Sequence, residues 1–175
     1  LLHTELGIPP NAHGIDLNPS TMHYWPFATP DPQLLCRWLD GTWLEHYVLS
    51  QVTEVAQRCQ LHDWGMTLRT DSGSTNPDFE FDVVALRGYQ LFGISCTTST
   101  DKHRAKLKLF EAYVRARQLG GEEARVGLVA GYAKPKGLQK EVENQLDVDG
   151  KVQVFGPRDL PTLARDLIQW FQKAG

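Results

Sequence analysis

No apolar run in this chain approaches the ~20 residues needed to cross a bilayer, and no signal peptide is visible. We therefore expect a protein with no place in a membrane. Cysteine is scarce. Cys36, Cys59 and Cys96 are odd in number and widely spaced, with no Cys-x-x-Cys. That argues against a disulfide framework and points to a reducing cytoplasm. A basic excess is missing too: 18 Lys and Arg against 21 Asp and Glu leave a net charge of −3. Such a chain is not coated in positive charge for nucleic acid, although a local basic groove remains compatible with it. Neither an internal repeat nor a low-complexity segment is found. What is present is an ordinary globular composition, 41% hydrophobic and 22% charged in 175 residues. That suffices for one domain with a full core and a short appendage. The chain opens on Leu1 rather than Met, and we expect it to be a piece of a longer protein.

Residues 1–35 hold Pro9, Pro10, Pro19, Pro26, Pro30 and Pro32 with Gly7 and Gly14. They read as a lead-in or linker that packs locally through Tyr24, Trp25 and Phe27, leaving 36–175 as the folded domain. His3, His13 and His23 fall there at even spacing, but no Cys or acidic pattern accompanies them as metal partners. After Gly41, Thr42-Trp43-Leu44-Glu45 has the capping-box pattern, with Thr42 as N-cap and Glu45 at N3. Leu44, Tyr47, Val48, Val52 and Val55 recur at helical spacing and predict a helix to about 59. A strand over 66–70 and a loop over 71–78 follow. Past a hairpin, residues 98–101 should cap a helix over 102–119. Leu107, Phe110, Val114 and Leu119 are its apolar stripe, and Gly120-Gly121 its end. The remainder reads as a buried strand over 124–130, a loop over 131–137 and a short helix over 138–145. An edge strand over 151–155 precedes a last helix over 159–173, with Leu160, Leu163, Leu167, Ile168 and Phe171 inward.

The hairpin, 79–97, organises the rest. Its arms are rich in β-branched and aromatic residues, and Arg87-Gly88 supplies the turn. Strict alternation puts Glu80 and Asp82 on one face and Phe79, Phe81 and Val83 on the other. On the return arm Ser95 and Thr97 share a face, with Phe92, Ile94 and Cys96 opposite. Acids on a strand that otherwise reads as core are costly to bury unless paired or metal-bound. This marks a candidate catalytic corner.

Helix, three strands, helix, strand is an order that resembles the core of the PD-(D/E)xK, or restriction-endonuclease-like, nucleases. Within that superfamily the chain is most similar to the nuclease domain behind CARF sensor domains in type III CRISPR ancillary effectors. That branch has a Gly-x-Trp-Leu-Glu-x-Tyr-Val helix start, a Glu-x-Asp-Val strand, a strand ending in Glu-Cys-Lys-Thr, and a Gly-Gly after the next helix. Here these stand as Gly41 to Val48, as Glu80-Phe81-Asp82-Val83, as Ser95-Cys96-Thr97-Thr98, and as Gly120-Gly121. The resemblance spans roughly 36–173. It implies an α/β fold, a mixed central sheet flanked by helices. It also implies a site in which the strand carboxylates and the carbonyl between the motif Glu and Lys hold Mg2+ or Mn2+. DNA or RNA would be the substrate. A CARF sensor domain, ahead of residue 1 or separate, would bind any cyclic oligoadenylate. Members of this branch work as homodimers, which an exposed apolar face around Trp38 and Trp43 would suit.

The departure falls on the motif itself: Ser95 and Thr97 stand where the resemblance implies Glu and Lys. Losing a preorganised charged donor alone costs about a hundred- to a thousandfold in rate. Lys102, His103, Arg104, Lys106 and Lys108 crowd the start of the next helix, with Lys102 and Lys106 on one face. A helix N-terminus also favours phosphate. We expect Glu45, Glu80 and Asp82 to hold the cation and Lys102 or Lys106 to replace the missing lysine. Nucleic acid would touch Lys102, Arg104, Lys106 and Lys108. The plainer alternatives are that Glu45 only caps, Glu80 is peripheral, Ser95 and Thr97 are ordinary strand residues, and the lysines form a solvated helix face. The expected function is a metal-dependent nuclease domain of a CRISPR-type antiviral effector, cleaving phosphodiesters in DNA or RNA with activity reduced or lost. The alternative is an inactive module that binds nucleic acid or a protein partner, or serves dimerisation.

Overall fold

A computed structural model describes residues 36, 38–70 and 79–173. The segment 1–35, with its histidines and aromatic residues, and the loop 71–78 lie outside the described residues. The chain divides into two units, Leu1–Trp43 and Leu44–Gly175. Of the first, the described part includes a helical turn, Trp38–Thr42, in which Gly41 is extended (φ 172°). Trp38 and Trp43 are both half-buried.

Helix α1 runs over Trp43–Val55 and buries Leu44, Val48, Val52 and Val55, the positions its sequence period selects. Strands β1 (Asp63–Thr70), β2 (Phe79–Arg87), β3 (Gln90–Thr97), β4 (Arg125–Ala130) and β5 (Val152–Phe155) form one five-stranded sheet in the order β1-β2-β3-β4-β5. The first three are antiparallel and the last two join in parallel, so the sheet is mixed. Gly88, at φ 58°, makes the β2–β3 turn, a backbone that glycine adopts without strain. Helices α2 (Lys102–Gly120), α3 (Pro135–Leu146) and α4 (Leu163–Lys173) complete the domain. Asp101 caps α2 by accepting from the Arg104 amide at 2.8 Å. Pro135 opens α3, where its missing N–H costs nothing.

One face of the sheet packs on α2 and α3. Phe81, Leu91, Val126, Leu128, Val152 and Val154 meet Ala105, Leu109, Ala112, Tyr113, Ala116, Leu138 and Val142 there. On the other face Phe92 lies edge-on to Trp170 and Phe171 of α4, with centroids 5.3 and 4.8 Å apart. The buried stripe of α2 is not the expected one. Leu107, Val114 and Leu119 are exposed, and three alanines with Leu109 and Tyr113 face the sheet. Short side chains let the helix lie close to the strands. The large apolar residues that a hydrophobicity count favours point away.

Alternation also fails at one place in β2. Val84 packs with Phe81 against the α2 face, so the two share a side although three residues apart. Val83 instead pairs with Ile94, on the side of Phe92 and α4. Phe81 and Val83 therefore lie on opposite faces, and the reversal is centred on Asp82.

Candidate active site

At Asp82 the sheet opens. Pairing of β2 with β3 runs from Arg87↔Gln90 to Val83↔Ile94 and stops. Pairing with β1 goes from Met66↔Val83 to Leu68↔Phe81 and omits Thr67, whose φ of 61° is unusual for a β-branched residue. Beyond the break, the Cys96 N–H donates to Asp82 Oδ2 at 2.5 Å. A carboxylate thus takes the amide that a continued ladder would have satisfied with a backbone carbonyl. This charge-assisted bond helps Asp82 tolerate burial at 9% exposure.

Lys108 reaches the same point from α2. Its Nζ lies 2.9 Å from Asp82 Oδ2 and also donates to the Cys96 carbonyl. Glu45, in the first turn of α1, adds a second carboxylate. Burial raises the pKa of Glu45, the negative charge of Asp82 raises it further, and Lys108 partly offsets both. Glu80 is exposed, pairs in register with Arg69 of β1, and adds a smaller upward push on Glu45. Burial holds the Cys96 thiol well above its usual range, with the Asp82 charge adding to it. A thiol in that state is no nucleophile.

Lys102, Lys106 and Thr97 each have a partner other than Asp82. Lys102 and Lys106 both bind Glu141 of α3, each at 2.6 Å, and hold its carboxyl down at about 2. Lys106 also sits 5.8 Å over the Phe110 ring. Arg104 and His103 are exposed on the first turn of α2. Ser95 is 2% exposed within β3, on the register Ser95↔Leu128. Thr97 Oγ1 accepts from the Ser99 amide at 3.2 Å, and Ser99 Oγ from Asp101, so Thr97 helps build the entry to α2. The sequence counts Lys108 among the basic residues beside the corner and as a nucleic-acid contact, but selects Lys102 or Lys106 to replace the missing lysine. Its seat follows once Ala105, Leu109 and Ala112 are seen to face the sheet, because Lys108 is i+3 from Ala105 and i−4 from Ala112.

The donor set fits a hard divalent cation. The Asp82 carboxylate and the Cys96 carbonyl already converge on one ammonium, and the neighbouring Glu45 is a further oxygen donor. Among the described residues no three His, Cys, Asp or Glu side chains form a ready cluster. A cation here would rest on few protein ligands, as Mg2+ does where water and substrate phosphate complete its shell.

A mixed sheet flanked by helices, with a carboxylate on the second strand and a carbonyl at the end of the third facing one lysine, agrees with the restriction-endonuclease-like fold that the sequence resembles. The family model for the Card1-like endonuclease domain, of the PD-(D/E)xK type, matches residues 33–174, and the chain belongs to that family. Among solved structures it is similar to protein VC1899 from Vibrio cholerae, with a TM-score of 0.66 and 24% identity over 85% of this chain and 38% of that one. It is also similar to Can2 from Sulfobacillus thermosulfidooxidans in complex with cyclic tetra-adenylate, with a TM-score of 0.64 and 18% identity over 88% of this chain and 41% of that one. The chain thus spans about two fifths of the length of each. No curated protein sequence matches it. Among the described residues no helix is long and apolar enough to cross a membrane.

Proposed function

We propose that residues 36–175 form a divalent-cation-dependent nuclease module of a CRISPR-type antiviral effector, hydrolysing phosphodiesters in DNA or RNA. Residues 1–35 are its Pro-rich N-terminal segment or linker, and the protein is cytoplasmic. What supports this function best is the convergence of Asp82 and the Cys96 carbonyl on one cation, with Glu45 beside them. Asp82, the Cys96 carbonyl and Glu45 would hold Mg2+ or Mn2+, with Glu80 at the margin. Bound there, the cation supplies Lewis-acid polarisation of a phosphate oxygen. Lys108 brings the positive charge that Thr97 does not, and Lys102 and Arg104 at the exposed start of α2 meet the nucleic-acid backbone. The neutral Ser95 leaves the site one carboxylate short, so its activity is low. Can2 was solved with cyclic tetra-adenylate. By that analogy a CARF sensor domain, fused or separate, controls this module, which works as a homodimer.

The seating of Lys108 on both oxygens also favours a second function. The ammonium satisfies Asp82 internally, as suits a domain that has lost cleavage and keeps its fold to bind nucleic acid or a protein, or to dimerise. Cleavage of single- and double-stranded DNA and RNA with Mn2+, run beside Asp82→Ala, separates the two. Cleavage that disappears in Asp82→Ala supports the nuclease. No cleavage by the natural sequence, but cleavage by Ser95→Glu with Thr97→Lys, supports the binding module.

A further inference from the structure

We propose that Lys108 is the residue that sets cation affinity at this site, because its ammonium and a divalent cation need the same two oxygens, Asp82 Oδ2 and the Cys96 carbonyl. This rests on the assignment of Asp82 to a cation site. An ammonium offers three donors in no fixed plane. Lys108 spends two of them on one carboxylate oxygen and one backbone carbonyl, the two oxygens that a hard cation would take. Two cations cannot share that position. Lys108 must withdraw when a divalent ion enters, and its four-carbon stem allows this. The side chain is 37% exposed, so the path out leads to solvent and to any phosphate at the mouth of the site. Lys102 and Lys106, held on Glu141, do not compete. The charges facing Lys108 are Asp82 from β2 and, close to Asp82, Glu45 from α1 and the exposed Glu80 from β2. The buried neutral Ser95 adds none. With Ser at that position the site has little negative charge to spare, and an internal lysine suffices to hold it closed to a weakly bound ion. Lys108 is thus a gate on the cation as well as a charge for the phosphate.

The test is Mn2+ binding to the whole chain, read by the loss of free-ion electron paramagnetic resonance signal, for wild type, Lys108→Met and Lys108→Arg. If the ammonium occupies the oxygens nine-tenths of the time, Lys108→Met binds Mn2+ about tenfold more tightly than wild type. Lys108→Arg keeps a competing charge and gains less. Equal or weaker binding by Lys108→Met, or no binding by either protein, overturns the inference. Should Lys108→Met fail to fold, amine labelling of the wild type with peptide mass spectrometry answers the same question. Mg2+ then raises the labelling of Lys108 severalfold over that of Lys102 and Lys106, and an unchanged ratio overturns the inference. Tight Mn2+ binding by Lys108→Met without cleavage by any variant would leave this inference standing and remove the nuclease function. Mn2+-dependent cleavage by wild type with no gain in affinity for Lys108→Met would do the reverse.

Discussion

Gly93→Ala tests the packing that shapes the site. Gly93 lies in β3, opposite Val84, and the Phe81 ring covers it. A Cβ built on Gly93 would stand 2.8 Å from both Cδ1 and Cζ of that ring. Real carbons do not approach so closely. Phe81 is fully buried and bordered by α2, so it has no free volume to enter. The added methyl must push Phe81, and β2 with it, outward at the residue next to Asp82. Overpacking of this kind costs about 1–3 kcal/mol, or a fall of roughly 2–10 °C in melting temperature for a chain of this length. Urea unfolding followed by circular dichroism measures it. Phe81→Leu removes ring atoms and should rescue Gly93→Ala, so that the two changes together cost at least about 1 kcal/mol less than their sum. A cost for Gly93→Ala below about 0.5 kcal/mol, or no rescue by Phe81→Leu, would refute the reversal of β2 at Asp82 that puts Phe81 over Gly93.

The Asp82–Lys108 pair should show a coupling of about 1–3 kcal/mol in a double-mutant cycle of Asp82→Asn and Lys108→Met, between the values for exposed and buried pairs because Lys108 is partly exposed. Urea midpoints of the four proteins give it, and a coupling near zero would mean that the ammonium is not seated in solution. Glu45 has a raised pKa, so the folded state holds its proton more tightly than the unfolded state, whose carboxyl titrates near 4.5. Ionised Glu45 therefore costs stability once the pH has risen through both values. Glu45→Gln should be more stable than wild type at pH 7, with the advantage fading below about pH 4.5, in urea midpoints at the two pH values. Glu141 has the opposite sign. Its carboxyl is held down to about 2, so its contribution is full above the unfolded value of 4.5 and is lost as pH falls toward 2. Glu141→Gln should remove that part of the acid sensitivity, seen as a smaller change in thermal midpoint between pH 5 and pH 3.

Much of the fold is legible in the residues. The period of α1, the hairpin with Gly88 at its turn, and the polar cap at Asp101 are local signals, and the element order follows from them. The α2 stripe is not legible that way. Alanines at 105, 112 and 116 carry little hydrophobic weight, and only close approach to the sheet shows that they are the inner face. The centre at Asp82 is legible as an acid on a core strand. The break in pairing around it coincides with the positive φ of Thr67 in β1 and with the ring of Phe81 over Gly93, features between strands that no single strand announces. Lys102 and Lys106 share a helical face, as their spacing says, but that face meets Glu141, a residue more than thirty positions away. Lys108, two residues further on, turns to the carboxylate.

Manganese anomalous scattering from crystals grown with Mn2+ and a non-cleavable phosphorothioate oligonucleotide tests the site most directly. The expected result is one strong peak within ligand distance of Asp82 and the Cys96 carbonyl, with Lys108 moved off both and toward the phosphorothioate. A peak elsewhere, or Lys108 still seated on Asp82 with nucleic acid bound and no manganese, would contradict a catalytic cation at this centre.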